Sequence, residues 1–330
     1  MSGAAAARVR RGAGWFELAD RALIEVRGSD RLRWADGMLS NDVKGLAPGT
    51  EHSGCPALLL TPQGRIVSDL HVMARPDALW LELPSAACAE VLARLEKYII
   101  ADDVTLSDAS ASWRRFALEG PASEKLLARA ADAALPRLFP DGCQETRLGG
   151  APVVVGAWGW SGEAALQLFA PVADAEAVRA AVAGVAGEEL VRGDAAVLEV
   201  LRVEAGRPRF GAELGPDVLP AEVGLVGHSV SVTKGCYTGQ EIVARMEARD
   251  AAAHRLVGLR FDGAGGMPGD PVSVDGATSG ELTSRCRSET AGEIGLGFVR
   301  RAHAEPGREV RVSEVAAHIA ALPFVEPGGA

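Results

Sequence analysis

The chain has 330 residues, 48% of them hydrophobic and 24% charged, and a formal net charge of −10. These figures describe an ordinary globular protein long enough for two or three domains, each with its own core. The acidic balance argues against nucleic acid and anionic membranes as partners, and no apolar run is long enough to span a bilayer.

Arg207, Arg209, Lys234, Arg245 and Arg249 could still form a local basic patch. The five cysteines, Cys55, Cys88, Cys143, Cys236 and Cys286, are odd in number and widely spaced. None forms a C-x-x-C pair, so neither a metal site nor a disulfide framework is expected, and a reducing cytoplasm fits best. The N-terminus carries Arg8, Arg10 and Arg11 among alanines and glycines and lacks the apolar core of a signal peptide. A frayed, solvated terminus is expected there.

Alternation from Trp15 to about Val26 predicts one strand, closed by the Gly28-Ser29-Asp30 turn. Leu32, Ala35, Met38 and Leu39 then recur at helical spacing. Ala57 to Leu60 and Arg65 to Met73 flank a Pro62-Gln63-Gly64 turn and read as a hairpin. Leu79 to Leu83 is a third strand, after which Ser85 caps a helix with Cys88, Val91, Leu92, Leu95, Tyr98 and Ile99 on its apolar stripe.

A second α+β unit starts near Trp113. It has a strand at Phe116 to Leu118, a helix opened by Gly120-Pro121, strands at Val153 to Ala157 and Ala165 to Phe169, and an alanine-rich helix from Asp174. Past Leu256 the texture changes to short strands separated by Gly and Pro turns: Leu256 to Phe261, Val272 to Val274, Gly280 to Arg285, Glu293 to Val299 and Glu309 to Val312. That spacing predicts a small antiparallel barrel, with a boundary near Asp250 to Ala253. The expected division is a first α+β lobe over 1–110, a second over 111–252 and a β-barrel over 253–330.

Two segments carry candidate chemistry. In the helix capped by Asp194 and stopped by Gly206, residues Val197, Leu201 and Glu204 fall on one face. That puts a carboxylate on the apolar side, near the end where the helix dipole disfavours negative charge. Such a glutamate needs a partner: a ligand's N–H groups, Arg202 or Arg207, or solvent at a frayed end. The second segment is Lys234-Gly235-Cys236-Tyr237-Thr238-Gly239-Gln240-Glu241. Thr238 and Glu241 have capping-box spacing, which predicts a helix following Cys236. Lys234 and the helix dipole would then both favour the Cys236 thiolate. A small buried apolar cysteine in a glycine turn accounts for the same letters.

The octet also resembles the K-G-C-[YF]-x-G-Q-E signature of the YgfZ family of folate-binding proteins, matching every fixed position. Leu201-Arg202-Val203-Glu204-Ala205-Gly206, followed by Phe210-Gly211, is similar to a segment of the glycine-cleavage T-protein, a tetrahydrofolate-dependent aminomethyltransferase. Leu39 to Val43, Gly64 to Leu70 and Pro220 to Leu225 fit the same superfamily. The resemblance implies two α+β lobes and a C-terminal antiparallel β-barrel around a central folate channel. It implies tetrahydrofolate, or a one-carbon derivative, as cofactor, with the pterin ring on Glu204. It also implies iron–sulfur client or assembly proteins as partners, such as tRNA-modifying enzymes. Cys236 would act as a thiolate near the channel mouth, supported by Lys234, with Gly235, Tyr237, Gly239, Gln240 and Glu241 shaping the loop.

The T-protein needs an aspartate after the third strand of its first lobe, and the turn Glu82 to Ala87 with the following Cys88-Ala89-Glu90 offers none. This favours the folate-binding factor over the aminomethyltransferase. A folate-binding module without chemistry is a further alternative.

Overall fold

The computed structural model describes residues 2–187, 190–248 and 251–328. Arg249 of the basic patch and Asp250 of the expected boundary lie outside the described residues.

Helix α1 (Ser2–Arg11) and strand β1 (Ala13–Glu17) open the chain. After them come β2 (Arg21–Arg27), α2 (Arg31–Met38), β3 (Gly54–Leu60), β4 (Ile66–Ala74), β5 (Ala78–Pro84), α3 (Ser85–Glu96) and β6 (Thr105–Asp108). Strands β2 to β6 form one sheet in the order β3-β4-β5-β2-β6, with antiparallel neighbours throughout. Ile24, Val26, Leu59, Val72 and Leu81 meet Trp34 of α2 and the Cys88–Val91–Leu95 stripe of α3 in one core. The expected hairpin is β3–β4, with Leu58 opposite Asp69.

A second sheet contains β7 (Trp113–Glu119), β8 (Cys143–Leu148), β9 (Ala151–Gly156), β10 (Ala165–Pro171) and β11 (Leu190–Arg192). It takes in β1 as well, in the order β11-β1-β7-β10-β9-β8. Helices α4 (Ser123–Ala130) and α5 (Ala175–Val185) pack Leu127, Val178 and Val182 onto it beside Phe116 and Leu168. Helix α6 (Ala195–Glu204) packs on the opposite face against α1 through Ala6, Val9, Val197, Val200 and Leu201. Asp194 caps α6 as expected, its side chain accepting from Val197 N–H at 3.0 Å.

Helix α7 (Gln240–Ala248) leads to β12 (His254–Phe261), β13 (Pro271–Val274), β14 (Ala277–Ser288), β15 (Gly292–Arg300), β16 (Glu309–Val312) and β17 (Val315–Ala320). These six close into an antiparallel barrel, β12-β15-β14-β13-β16-β17, around Leu259, Val272, Leu282, Val299 and Val312. The two α+β lobes and the barrel of the sequence reading are all present.

Three expectations are corrected. The alternation from Trp15 to Val26 spans two strands, β1 and β2, which break at Leu18 to Asp20 and enter different sheets. Residues 2–17 therefore pack with the second lobe and not the first. The N-terminus is a docked helix: Ala6, Val9 and Arg10, spaced i, i+3 and i+4, are buried. It packs so closely that a Cβ on Gly120 would stand 2.4 Å from the Val9 carbonyl oxygen, at a φ of +114°. Helix α3 has Pro84 at its N-cap, with no side-chain capping bond, in place of the expected Ser85 cap.

Candidate functional site

A cavity of about 540 Å3 opens where the chain passes from β1 to β2. Phe16, Leu18, Leu198 and the ring of Trp160 supply its apolar wall; Asp20, Arg21, Glu199 and Arg209 supply its polar one. Its size and its mixture of one aromatic face with a few polar groups suit a small heterocyclic ligand.

Arg21, Glu199 and Arg209 are each held by neighbours. Burial disfavours charge on Glu199, but the Arg202 hydrogen bond and the charges of Arg202 and Arg209 hold its carboxyl below the usual range. Arg202 Nε donates to Glu199 at 2.8 Å, and its Nη1 reaches Glu213 at 3.0 Å. Arg209 is half-exposed, with Nε 3.4 Å from Glu199, so it is the cleft's most available cation. Trp160 is fixed from behind. Its backbone N–H donates to Glu119 Oε1 at 3.1 Å, and Ser161 N–H and Oγ–H donate to Oε2 at 3.0 and 2.5 Å. Burial pushes the Glu119 carboxyl up despite these donors.

Arg21 leads from the cleft into a buried charge cluster. Its Nε and Nη2 grip Glu82 of β5 as a fork, the Nη2 contact being 2.9 Å. Arg115 of β7 donates to the same carboxylate from the other sheet and reaches Gln167 Oε1 at 3.3 Å. Burial works against charge on Glu82, but the two guanidiniums win and hold it at about 2.

Asp69 of β4 lies beside this cluster, 3.5 Å from Arg21 Nη1. Its side chain is 29% exposed, and Oδ1 is a buried oxygen with no hydrogen-bond partner. Burial and the neighbouring Glu82 charge push its carboxyl up, with Arg21 opposing. Asp69 does not itself line the cleft but adjoins Arg21, which does; an aspartate with a free oxygen and a carboxyl pushed up is suited to proton transfer.

The sequence reading sought such a carboxylate only in the turn after β5 and missed this one, together with Arg21, Glu82, Arg115 and Trp160. A signal was present. Asp69 and Glu82 are carboxylates within strands that are mostly buried, and a charge in such a strand needs a partner or a task.

Glu204, the residue the family resemblance assigns to the pterin ring, lies outside this cleft. It is 0% exposed, Oε2 accepts from Arg10 Nε at 2.6 Å, and Oε1 accepts from Ser288 Oγ at 2.5 Å. The salt-bridge alternative describes this residue, with Arg10 as partner where Arg202 or Arg207 was expected.

The K-G-C loop stands on the first lobe. Lys234 Nζ points inward and donates to the backbone oxygens of Asp36, Leu39 and Asn41 at 2.5, 2.9 and 2.7 Å, and it lies 3.1 Å from Asp36 Oδ1. Its side chain is 2% exposed, and burial pulls its pKa down against the pull of Asp36. The ammonium's donors are thus committed to the first lobe, where Lys234 anchors the loop.

Tyr237 is buried among Leu58, Leu60, Ile66 and Val243. Gly239, at a φ of +86°, lies so close to the β3–β4 turn that a Cβ would stand 2.6 Å from Thr61 O. Gln240 Nε2 donates to Lys234 O at 3.3 Å. Gly235, Cys236 and Glu241 remain exposed. No residue of the loop lines this cleft. Among the described residues no cluster of His, Cys, Asp and Glu could hold a metal ion, and no helix is long and apolar enough to cross a membrane.

Comparison with known proteins agrees with this architecture. The GCVT N-terminal domain family matches residues 2–234, and the glycine cleavage T-protein C-terminal barrel domain family matches 254–326. An aminomethyltransferase of Cutibacterium acnes is 33% identical over 96% of this chain and 88% of its own length. One from Geobacillus kaustophilus is 32% identical over 96% and 88%. A putative chloroplastic transferase of Arabidopsis thaliana is 29% identical over 92% of this chain and 69% of its own. The crystal structure of the glycine cleavage system aminomethyltransferase T from Bartonella henselae superposes with a TM-score of 0.87, covering 99% of this chain and 90% of that one at 22% identity, a likeness of fold. The chain belongs to the glycine cleavage T-protein family.

Proposed function

We propose that this chain binds tetrahydrofolate, or a one-carbon derivative of it, in the cleft at the β1–β2 crossover. The observation that carries this reading is the cleft's composition. Trp160 offers a face for a planar ring, Glu199 and Asp20 offer acceptors for a ring's N–H edge, and Arg209 offers a cation for a carboxylate tail. Bound tetrahydrofolate supplies a nitrogen pair that carries one-carbon units. The chain's own part is to orient the ring, exclude water and manage a proton at Asp69.

Two uses of that folate are distinct. Aminomethyl transfer is supported by the names of the relatives and by Asp69, a carboxylate of the kind the sequence reading found missing. The relatives favour this use over an iron–sulfur role. Its test is release of ammonia and formation of methylenetetrahydrofolate from an aminomethyl-loaded lipoyl carrier protein. Turnover by the wild type and its loss in Asp69→Asn support transfer. No turnover by the wild type contradicts it.

One observation favours the second use, a YgfZ-type factor for iron–sulfur enzymes. Cys236 is exposed on a loop whose flanking residues, Lys234 and Tyr237, are both buried anchors. Cells lacking the protein would then lose activity of an iron–sulfur tRNA-modifying enzyme, and Cys236→Ser would fail to restore it. Full restoration by that variant would eliminate the thiol from the function.

A further inference from the structure

The cluster around Asp69 contains a group that neither folate binding nor transfer explains. Arg21 has donors enough to grip a carboxylate as a fork, and Asp69 lies within its reach. The fork nevertheless closes on Glu82, leaving Asp69 only the Nη1 edge at 3.5 Å, too long for a good hydrogen bond. Glu82 is itself fixed from the second sheet by Arg115. It therefore cannot follow Arg21 if that side chain swings.

We propose that Glu82 is a positioning residue, which holds Arg21 at the cleft wall and thereby denies Asp69 a full ion pair. Clamped in this way, Arg21 lies 5.8 Å from the Trp160 ring centroid as well as beside Asp69, so one guanidinium serves both the aromatic wall and the carboxylate. The other charged or titratable groups facing the cluster are few. Asp20 neighbours Arg21 in the chain, and His71 stands opposite Glu82 on β4, kept neutral by burial, with a pKa near 4. On β3 the residue opposite Asp69 is Leu58, which carries no charge. Removal of the Glu82 charge does two things with the same sign. It deletes a like charge beside Asp69, and it frees the Arg21 fork to close on Asp69; both favour ionised Asp69.

The inference rests on the reading of Asp69 as the cleft's acid–base carboxylate, but its test needs no folate. The Asp69 carboxyl 13C resonance, assigned by its absence from Asp69→Asn, is titrated in the intact protein. In Glu82→Gln the Asp69 midpoint should fall by about one pH unit or more; an unchanged or higher midpoint overturns the proposal. Arg21→Gln serves as the second variant, and it alone decides the matter if Glu82→Gln does not fold. There Glu82 keeps Arg115 while Asp69 loses Arg21, the cation nearest it among the described residues, so the midpoint should rise, and an unchanged or lower one overturns the proposal. Failure of folate binding would leave these titrations as they are, so the two ideas fail separately.

Discussion

The cleft and the K-G-C loop place buried charge to opposite ends. Behind the cleft wall, Arg21, Arg115 and Glu82 satisfy one another and leave Asp69 short of a partner. In the loop, Lys234 is satisfied by Asp36 and three carbonyls, and the residue left over is an exposed thiol. One arrangement under-serves a carboxylate beside a ligand-sized cavity; the other serves a cation fully so that a cysteine is held out to solvent. The two sites share no residue, so the proposed folate and thiol roles can be broken apart by mutation.

The largest effect should come from outside both sites. Arg10→Ala leaves Glu204 buried without its cation and should cost about 3–5 kcal/mol in denaturant unfolding. A loss below about 1 kcal/mol would mean that Glu204 is not held as described. Next in size is Lys234→Met. It removes the loop's anchor from Asp36 and should cost about 2 kcal/mol, with faster proteolysis between Ser231 and Gly239. Unchanged proteolysis would show that the loop is held by Tyr237 alone.

A pH effect separates the cluster from the loop. Burial lowers His71 to about 4 from 6.5, so the folded chain stays unprotonated there while the unfolded chain takes up a proton. Its contribution is complete above about pH 6.5 and is lost as pH falls toward 4. The raised carboxyl of Asp69 works the other way, its contribution shrinking as pH rises. Stability of His71→Phe, a ring that can still stack on Trp158, should therefore fall less than that of the wild type between pH 6.5 and 4. Parallel curves would remove His71 from the account. The smallest effect is expected for Cys236→Ser, within about 0.5 kcal/mol of the wild type. In the wild type Cys236 should be alkylated while Cys88 and Cys143, both buried, are not. Protection of Cys236 would contradict its exposure.

Local pattern was legible in the sequence, and long-range pairing was not. The β3–β4 hairpin, the α3 stripe, the Asp194 cap and five of the barrel strands follow from periodicity and turn residues close in the chain. Strand β17, with three alanines and a histidine in Val315–Ala320, has too weak an alternation to be seen. Glu204 was rightly suspected of needing a partner, but Arg10 is 194 residues away, on a helix whose small buried face reads as a solvated tail. Lys234 and Cys236 are neighbours in sequence, which suggested that one acts on the other. The fold sends the lysine into the first lobe and the thiol outward. Asp69 needed Arg21, Glu82 and Arg115 from three other strands before its isolation became visible.

The central claim is that the folate site is the Trp160–Arg21 cleft and not Glu204. Calorimetric titration of tetrahydrofolate into the wild type, Trp160→Ala and Glu204→Gln tests it most directly. The account predicts binding by the wild type, at least about tenfold weaker binding by Trp160→Ala, a loss of about 1.4 kcal/mol, and near-wild-type affinity in folded Glu204→Gln. Binding that survives in Trp160→Ala but vanishes in folded Glu204→Gln would contradict it.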